Sequence, residues 1–187
     1  LMALVKPLEQ NTTLRTLDLS RNKFGGRKPS IADGAATPLA SIIKTNKGLL
    51  ALYLAGNGFS AQGNKILGDA LAHNTTLVVF DLSDMNFSNG GPGSTASGLS
   101  ANKHLIMLNL SHRHIKDSDA ELLASAMEAH PTLTVVDFSQ NQIQQRGLQY
   151  WEPMLRSNRT LVHFDLTHNA FEATAAAPFL EVLEQRD

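Results

Sequence analysis

One pattern occurs six times in the chain: apolar residues at the first, fourth and sixth positions, followed by a polar turn, beginning at Leu14, Leu49, Leu77, Leu105, Leu133 and Leu161. These first leucines stand 35, 28, 28, 28 and 28 residues apart. A period sustained this long constrains the fold more than any local propensity does, because one short unit cannot bury both of its faces and has to stack on its neighbours. The end of each segment alternates apolar and polar residues, the period of a short strand. The ninth position holds Asn22, Asn57, Asn141 and Asn169, with Met85 and Arg113 in the other two repeats, and two residues further on come Phe24, Phe59, Phe87, Ile115, Ile143 and Phe171. A buried Asn in that slot pairs with backbone groups of its own turn and of the adjoining repeat.

Between the strands, stretches such as Ala61–His73 and Ser118–Ala129 read as helices, the second opening on Ser118 and Glu121 at capping-box spacing. Leu4 with Leu8, Leu39 with Ile43, Leu67 with Leu71, Leu123 with Met127, Trp151 with Leu155 and Phe179 with Leu183 share inward faces at i, i+4. With its L-x-x-L-x-L-x-x-N pattern and 28-residue units, the chain resembles leucine-rich repeat proteins of the ribonuclease-inhibitor type over nearly its whole length. The resemblance implies an α/β solenoid, with parallel strands lining a concave face and helices a convex one. Residues 1–187 read as a single domain of this kind. Because the sequence starts at Leu1 and stops at Asp187 inside a helix-like pattern, it is expected to be a segment of a longer protein.

Two stretches break the ruler. Ser88–Asn102, SNGGPGSTASGLSAN, keeps the 28-residue spacing but carries Gly90, Gly91, Gly93, Gly98 and a proline, all unfavourable in a helix. An extended or loosely turned convex segment is expected there, closed only by Leu99. It lacks the lysine of a phosphate-binding loop. The seven extra residues of the first interval fall within Gly25–Pro38 and are expected to project as a loop. Arg21, Lys23, Arg27 and Lys28 would make it a basic knuckle suited to an acidic protein surface or a phosphate.

The chain has no cysteine, which removes disulfides and thiol chemistry, and a net charge of −1, which gives no overall attraction to nucleic acid or membrane. Residues 1–50 nevertheless hold 8 Lys and Arg against 3 Asp and Glu, and residues 51–187 hold 8 against 14, so charge is polarised along the chain. With no apolar run long enough to span a bilayer, no membrane insertion is expected and a cytoplasmic location is. His112, His114, Asp117 and Asp119 lack the rigid helical spacing that metal ligands need. No cofactor is expected. The sequons at Asn11, Asn74 and Asn158 share one slot before a strand, where Asn and Thr suit a turn.

Strand alternation sends Asp18, Tyr53, Asp81, Asn109, Asp137 and Asp165 to the concave face in one column. Only Asp137 and Asp165 are carboxylates on adjacent strands, so the column reads as a polar recognition stripe rather than an acid–base pair. Met107 and His163 join it from a neighbouring column. The expected partner-binding residues are therefore Asp18, Arg21, Arg27, Lys28, Tyr53, Asp81, Met107, Asn109, Asp137, His163 and Asp165, in a non-catalytic module for a protein partner.

Leu17–Lys28, Leu-Asp-Leu-Ser-Arg-Asn-Lys-Phe-Gly-Gly-Arg-Lys, is similar to the corresponding repeat of the CARMIL family, and Asn-Thr-Thr-Leu before a strand is similar to tropomodulin repeats. These resemblances imply a cytoskeletal scaffold segment; the capping-protein motif of CARMIL proteins lies outside their repeats. Two other readings stay open: a structural subunit of a large assembly such as a cilium, and the ligand-sensing repeat domain of an innate-immune receptor. A ribonuclease inhibitor is disfavoured, since the mammalian-type inhibitors are cysteine-rich and longer.

Overall fold

The computed structural model describes residues 2–24, 29–85, 91–176, 179 and 181–182. Helices and strands alternate: α1 (Met2–Gln10), β1 (Thr16–Asp18), α2 (Pro29–Thr45), β2 (Ala51–Tyr53), α3 (Ala61–Leu71), β3 (Val79–Asp81), α4 (Gly91–Ala101), β4 (Met107–Asn109), α5 (Asp117–Met127), β5 (Val135–Asp137), α6 (Gln145–Ser157) and β6 (His163–Asp165), followed by a 3₁₀ turn at Ala173–Ala176. The strands form one parallel sheet in chain order, as right-handed strand–helix units stacked side by side require. Register is uniform, with Leu17, Leu52, Phe80, Leu108, Val136 and Phe164 opposite one another. That middle row points inward, and Leu52, Phe80, Leu108 and Val136 have no exposure. From the helix side Leu39, Ile43, Leu67, Leu71, Leu99, Leu123, Met127, Trp151 and Leu155 close the same core.

Two columns of side chains, most of them asparagine amides, stitch the repeats together. At strand exits Asn57 accepts from Asn22 N–H at 2.9 Å and donates to the Leu54 and Leu19 carbonyls, each at 2.8 Å. Asn141 repeats this, accepting from Arg113 N–H and donating to Leu110 and Phe138. A second column stands at the helix-to-strand return: Asn11, Asn46, Asn74, Asn102, His130 and Asn158. Asn102 accepts from the His104 and Leu105 N–H groups and donates to the Leu71 and Asn74 carbonyls, at 2.8–3.0 Å. Asn11, Asn74 and Asn158 thus hold turns, the role their sequon-like spacing suggested.

The structure corrects three local expectations. The glycine-rich stretch is helical from Gly91, because packing between α3 and α5 outweighs propensity. Its small residues have a positive role: a Cβ built on Gly98 would lie 2.1 Å from the Gly68 carbonyl oxygen, so α4 sits against α3 at a distance only glycine permits. Thr95, Ala96 and Leu99 are buried beside it. The insertion does not project as a loop over Gly25–Pro38, since Pro29 onward belongs to α2, which at 17 residues is the longest helix among the described residues. Proline at its start leaves no lost donor, the first-turn N–H groups being unpaired in any helix. Residues 25–28 lie outside the described residues. Finally, α5 begins at Asp117, and Asp119 rather than Glu121 reaches back to cap the Lys116 N–H at 2.9 Å. Among the described residues no helix is long and apolar enough to cross a membrane.

Candidate functional site

The concave surface is built from two rows flanking the inward one. Thr16, Ala51, Val79, Met107, Val135 and His163 make the first, and Asp18, Tyr53, Asp81, Asn109, Asp137 and Asp165 the second. Met107, Asn109, Asp81, Asp137, Asp165 and Tyr53 are half-buried, whereas Asp18 and His163 are exposed. The second row has a structural duty. Asp18, Asp81, Asp137 and Asp165 each accept, through Oδ1 at 2.8 Å, the backbone N–H two residues on, from Ser20, Ser83, Ser139 and Thr167. Asn109 does the same for Ser111 at 2.9 Å. One oxygen of every carboxylate is thereby fixed in a turn. The bond from Ser20 N–H, foremost, holds the Asp18 carboxyl below the usual carboxylate range.

At the strand exits the chain reverses through left-handed residues, one position of which recurs in every repeat, with Lys23, Gly58 and His114 a second such residue in three of them. Arg21, Asp84, His112, Gln140 and His168 have φ between 53° and 57°, and Gly56 has φ of 67°. Each non-glycine in that conformation costs about 1–2 kcal/mol. The ladder supplies the constraint that holds it: N–H groups of Arg21, Gly56, Asp84, His112 and Gln140 donate to carbonyls of the next repeat at 2.7–3.0 Å. The side chains of this row form a rim beside the groove. On it His112 Nδ1 lies 2.9 Å from Asp84 Oδ1 and His114 Nδ1 lies 2.7 Å from Gln142 Nε2. An open depression of about 480 Å³ is lined there by His112, His114, Gln140, Asn141, Gln142 and His168. Asp117 turns elsewhere, accepting from Gln144 N–H at 2.7 Å.

Of the residues expected to bind, the structure therefore gathers Asp18, Tyr53, Asp81, Met107, Asn109, Asp137, His163 and Asp165 on one face. Arg21 stands apart on the rim, and Arg27 and Lys28 lie outside the described residues. Below the groove Arg113 is fully buried in an Asn slot. Burial foremost depresses its proton affinity, while Asp81 and Asp119 oppose that by attraction. Sequence reasoning missed a further row, Arg15, Leu50, Val78, Ile106, Thr134 and Val162, one residue after each first leucine. There Leu50 is 40% exposed, Ile106 43% and Val162 85%. Its signal was the apolar residue at a position the repeat pattern leaves free.

A leucine-rich repeat family profile matches residues 10–27, 129–150 and 157–180. Among curated proteins none matches the chain by sequence. Solved structures do match in three dimensions. The actin-binding site 2 of leiomodin-1 superposes with a TM-score of 0.56 at 14% identity, over 98% of this chain and 87% of that one. The tropomodulin C-terminal domain from Caenorhabditis elegans gives 0.58 at 10% identity, over 99% and 92%. An internalin from Listeria monocytogenes gives 0.55 at 17% identity, over 98% of this chain and 49% of its own. At these identities the likeness is one of fold.

Proposed function

We propose that the chain, whose fold is an α/β solenoid of leucine-rich repeats with a continuous six-stranded concave sheet, is a non-catalytic module that binds a protein partner across that sheet. One observation carries the reading: the two outward rows keep register over all six strands, so side chains of alternating character are presented on a backbone already fully paired between neighbours. Tyr53 and Met107 are its apolar anchors, and Asp18, Asp81, Asn109, Asp137, His163 and Asp165 its polar contacts. Carboxylates committed to turn N–H groups are suited to recognition more than to proton transfer.

The finer reading is a cytoskeletal scaffold segment of a longer cytoplasmic protein, supported by similarity of fold to leiomodin-1 and tropomodulin domains. Arg21 on the rim would add a basic contact beside the groove, and Arg27 and Lys28, which follow it in sequence, would add basic charge. Co-sedimentation with filamentous actin tests this directly. The chain should pellet with filaments, and Tyr53→Ala with Met107→Ala should abolish pelleting, while Arg27→Glu with Lys28→Glu should weaken it at low salt only. Recovery in the pellet no higher than without actin would sink the cytoskeletal reading. Pelleting that the groove variant leaves intact would sink the assignment to the concave face.

A further inference from the structure

The row beginning at Arg15 is not core that happens to show. Its carbonyls each accept two N–H groups from the next repeat: Leu50 O from Val78 and Val79, Val78 O from Ile106 and Met107, Ile106 O from Thr134 and Val135, Thr134 O from Val162 and His163, all at 2.8–3.0 Å. Leu50, Val78 and Ile106 are thus held at strand pitch along one edge of the groove, with Val162 two strands beyond Ile106 across Thr134. Side by side with them run Ala51, Val79, Met107 and Val135, and beyond those the acidic row. In cross-section the surface passes from an outer aliphatic row, exposed at Leu50, Ile106 and Val162 and half-buried at Val78, through a more buried aliphatic row, to carboxylate. Arg15, the cation of the outer row, is already engaged with the Gly48 carbonyl at 2.7 Å and the Thr12 carbonyl at 3.0 Å. Asp81, Asp137 and Asp165 therefore face the groove with no lysine or arginine among the three rows from β3 to β6 to neutralise them.

An aliphatic ridge bordered by carboxylates, of which Asp81 alone has a cation beneath it in Arg113, is complementary to a surface with an apolar stripe and adjacent cations. The groove floor offers no backbone hydrogen bonds, because its inner strands are paired on both sides. An occupant lying across them has to satisfy its own backbone, as a helix does. Pitch agrees as well: a helix advances about 5.4 Å per turn and the strands stand about 4.8 Å apart, so an i, i+3, i+4, i+7 stripe meets about one repeat per turn. From these observations we infer that the concave face takes a basic amphipathic α-helix of its protein partner, with the apolar stripe on Leu50, Val78, Ile106 and Val162 and its Lys or Arg residues against Asp81, Asp137 and Asp165. The inference rests on the concave-face reading above and names the chemistry of the partner.

Three labelled 18-residue peptides test it by fluorescence anisotropy on the 187-residue chain: a leucine–lysine amphipathic helix, its composition-matched scramble, and a leucine–glutamate helix. The lysine helix should bind at least about ten-fold more tightly than either control. Ile106→Asp with Val162→Asp should remove that binding. Asp137→Asn with Asp165→Asn should weaken it several-fold at low salt and not at high salt; asparagine keeps the turn, as Asn109 does. Leu122→Asp, on the exposed face of α5, should leave affinity unchanged. Equal affinity for a control peptide, no binding of the lysine helix, or indifference to the Ile106 and Val162 changes would overturn the inference. A selection of displayed random 20-residue peptides separates it from its premise. Binders blocked by Tyr53→Ala and Met107→Asp but lacking a basic helical pattern would overturn the helix and keep the groove, whereas binders indifferent to every concave variant would overturn both.

Discussion

His130 shows how a single residue can keep a repeat's geometry while changing its chemistry. It occupies the slot of Asn46, Asn74, Asn102 and Asn158, and its Nδ1 accepts the Thr132 and Leu133 N–H groups at 3.4 and 3.1 Å. Only the neutral ring has that lone pair. Burial first and Lys103 second push its pKa down to about 4, against a smaller opposing pull from the Asn102 backbone. In the unfolded chain the ring takes its proton near pH 6.5, so between those values the unfolded state binds more protons. The stabilisation is complete above about pH 6.5 and is lost as pH falls toward 4. We expect urea unfolding to show about 2 kcal/mol less stability from this site at pH 5 than at pH 7.5. The corresponding loss should be missing in His130→Asn, which restores the amide of the neighbouring slots. Equal pH dependence in both proteins would contradict the assignment. The strand-exit Asn column was legible in the sequence because the repeat pattern marks it. The return column was only half legible: Asn46 lies in no sequon, Asn102 closes the glycine-rich stretch, and His130 is not an amide.

Among the elements, α4 departs furthest from its local sequence. Glycine and proline oppose helix by about 1–3 kcal/mol per residue in isolation, yet the backbone is helical over Gly91–Ala101. Neighbouring helices on both sides and the buried side chains of Thr95, Ala96 and Leu99 supply what propensity does not. Gly98→Ala makes the test sharp. Alanine favours helix, so a propensity argument gives stabilisation, but its Cβ would meet the Gly68 backbone at 2.1 Å. We expect a loss of about 2–3 kcal/mol in denaturant unfolding, the usual cost of overpacking; a gain would show that α4 does not press on α3. Gly147 is also crowded, but by side chains, since a Cβ there would come within 2.6 Å of Asp117 Oδ1 and 2.5 Å of Ile143 Cγ2. The starts of helices were less legible than their faces. Apolar residues at i, i+4 identified the buried sides, whereas Asp119 caps α5 where Ser118 and Glu121 had the familiar spacing.

For the whole molecule, each repeat touches its neighbours in order, and stability is approximately a sum over repeats and their interfaces. β1 and β6 each pair with one strand, and the inward residues Leu17 and Phe164 are half-buried where Leu52, Phe80, Leu108 and Val136 are closed off. Hydrogen exchange should accordingly be slowest in β2 to β5 and faster in β1 and β6; uniform protection would point to an all-or-none fold instead. The sequence by itself determined the period, the strands, the inward leucines and the face that carries the acidic column, because stacking identical units leaves few ways to bury a repeating pattern. Only the tertiary structure decided what the glycine-rich repeat becomes, where α2 begins, and that Leu50, Ile106 and Val162 lie exposed, with Val78 half-buried, in one row. Those outcomes depend on how closely one repeat approaches the next, a distance set by backbone contacts between units and written in no single one of them.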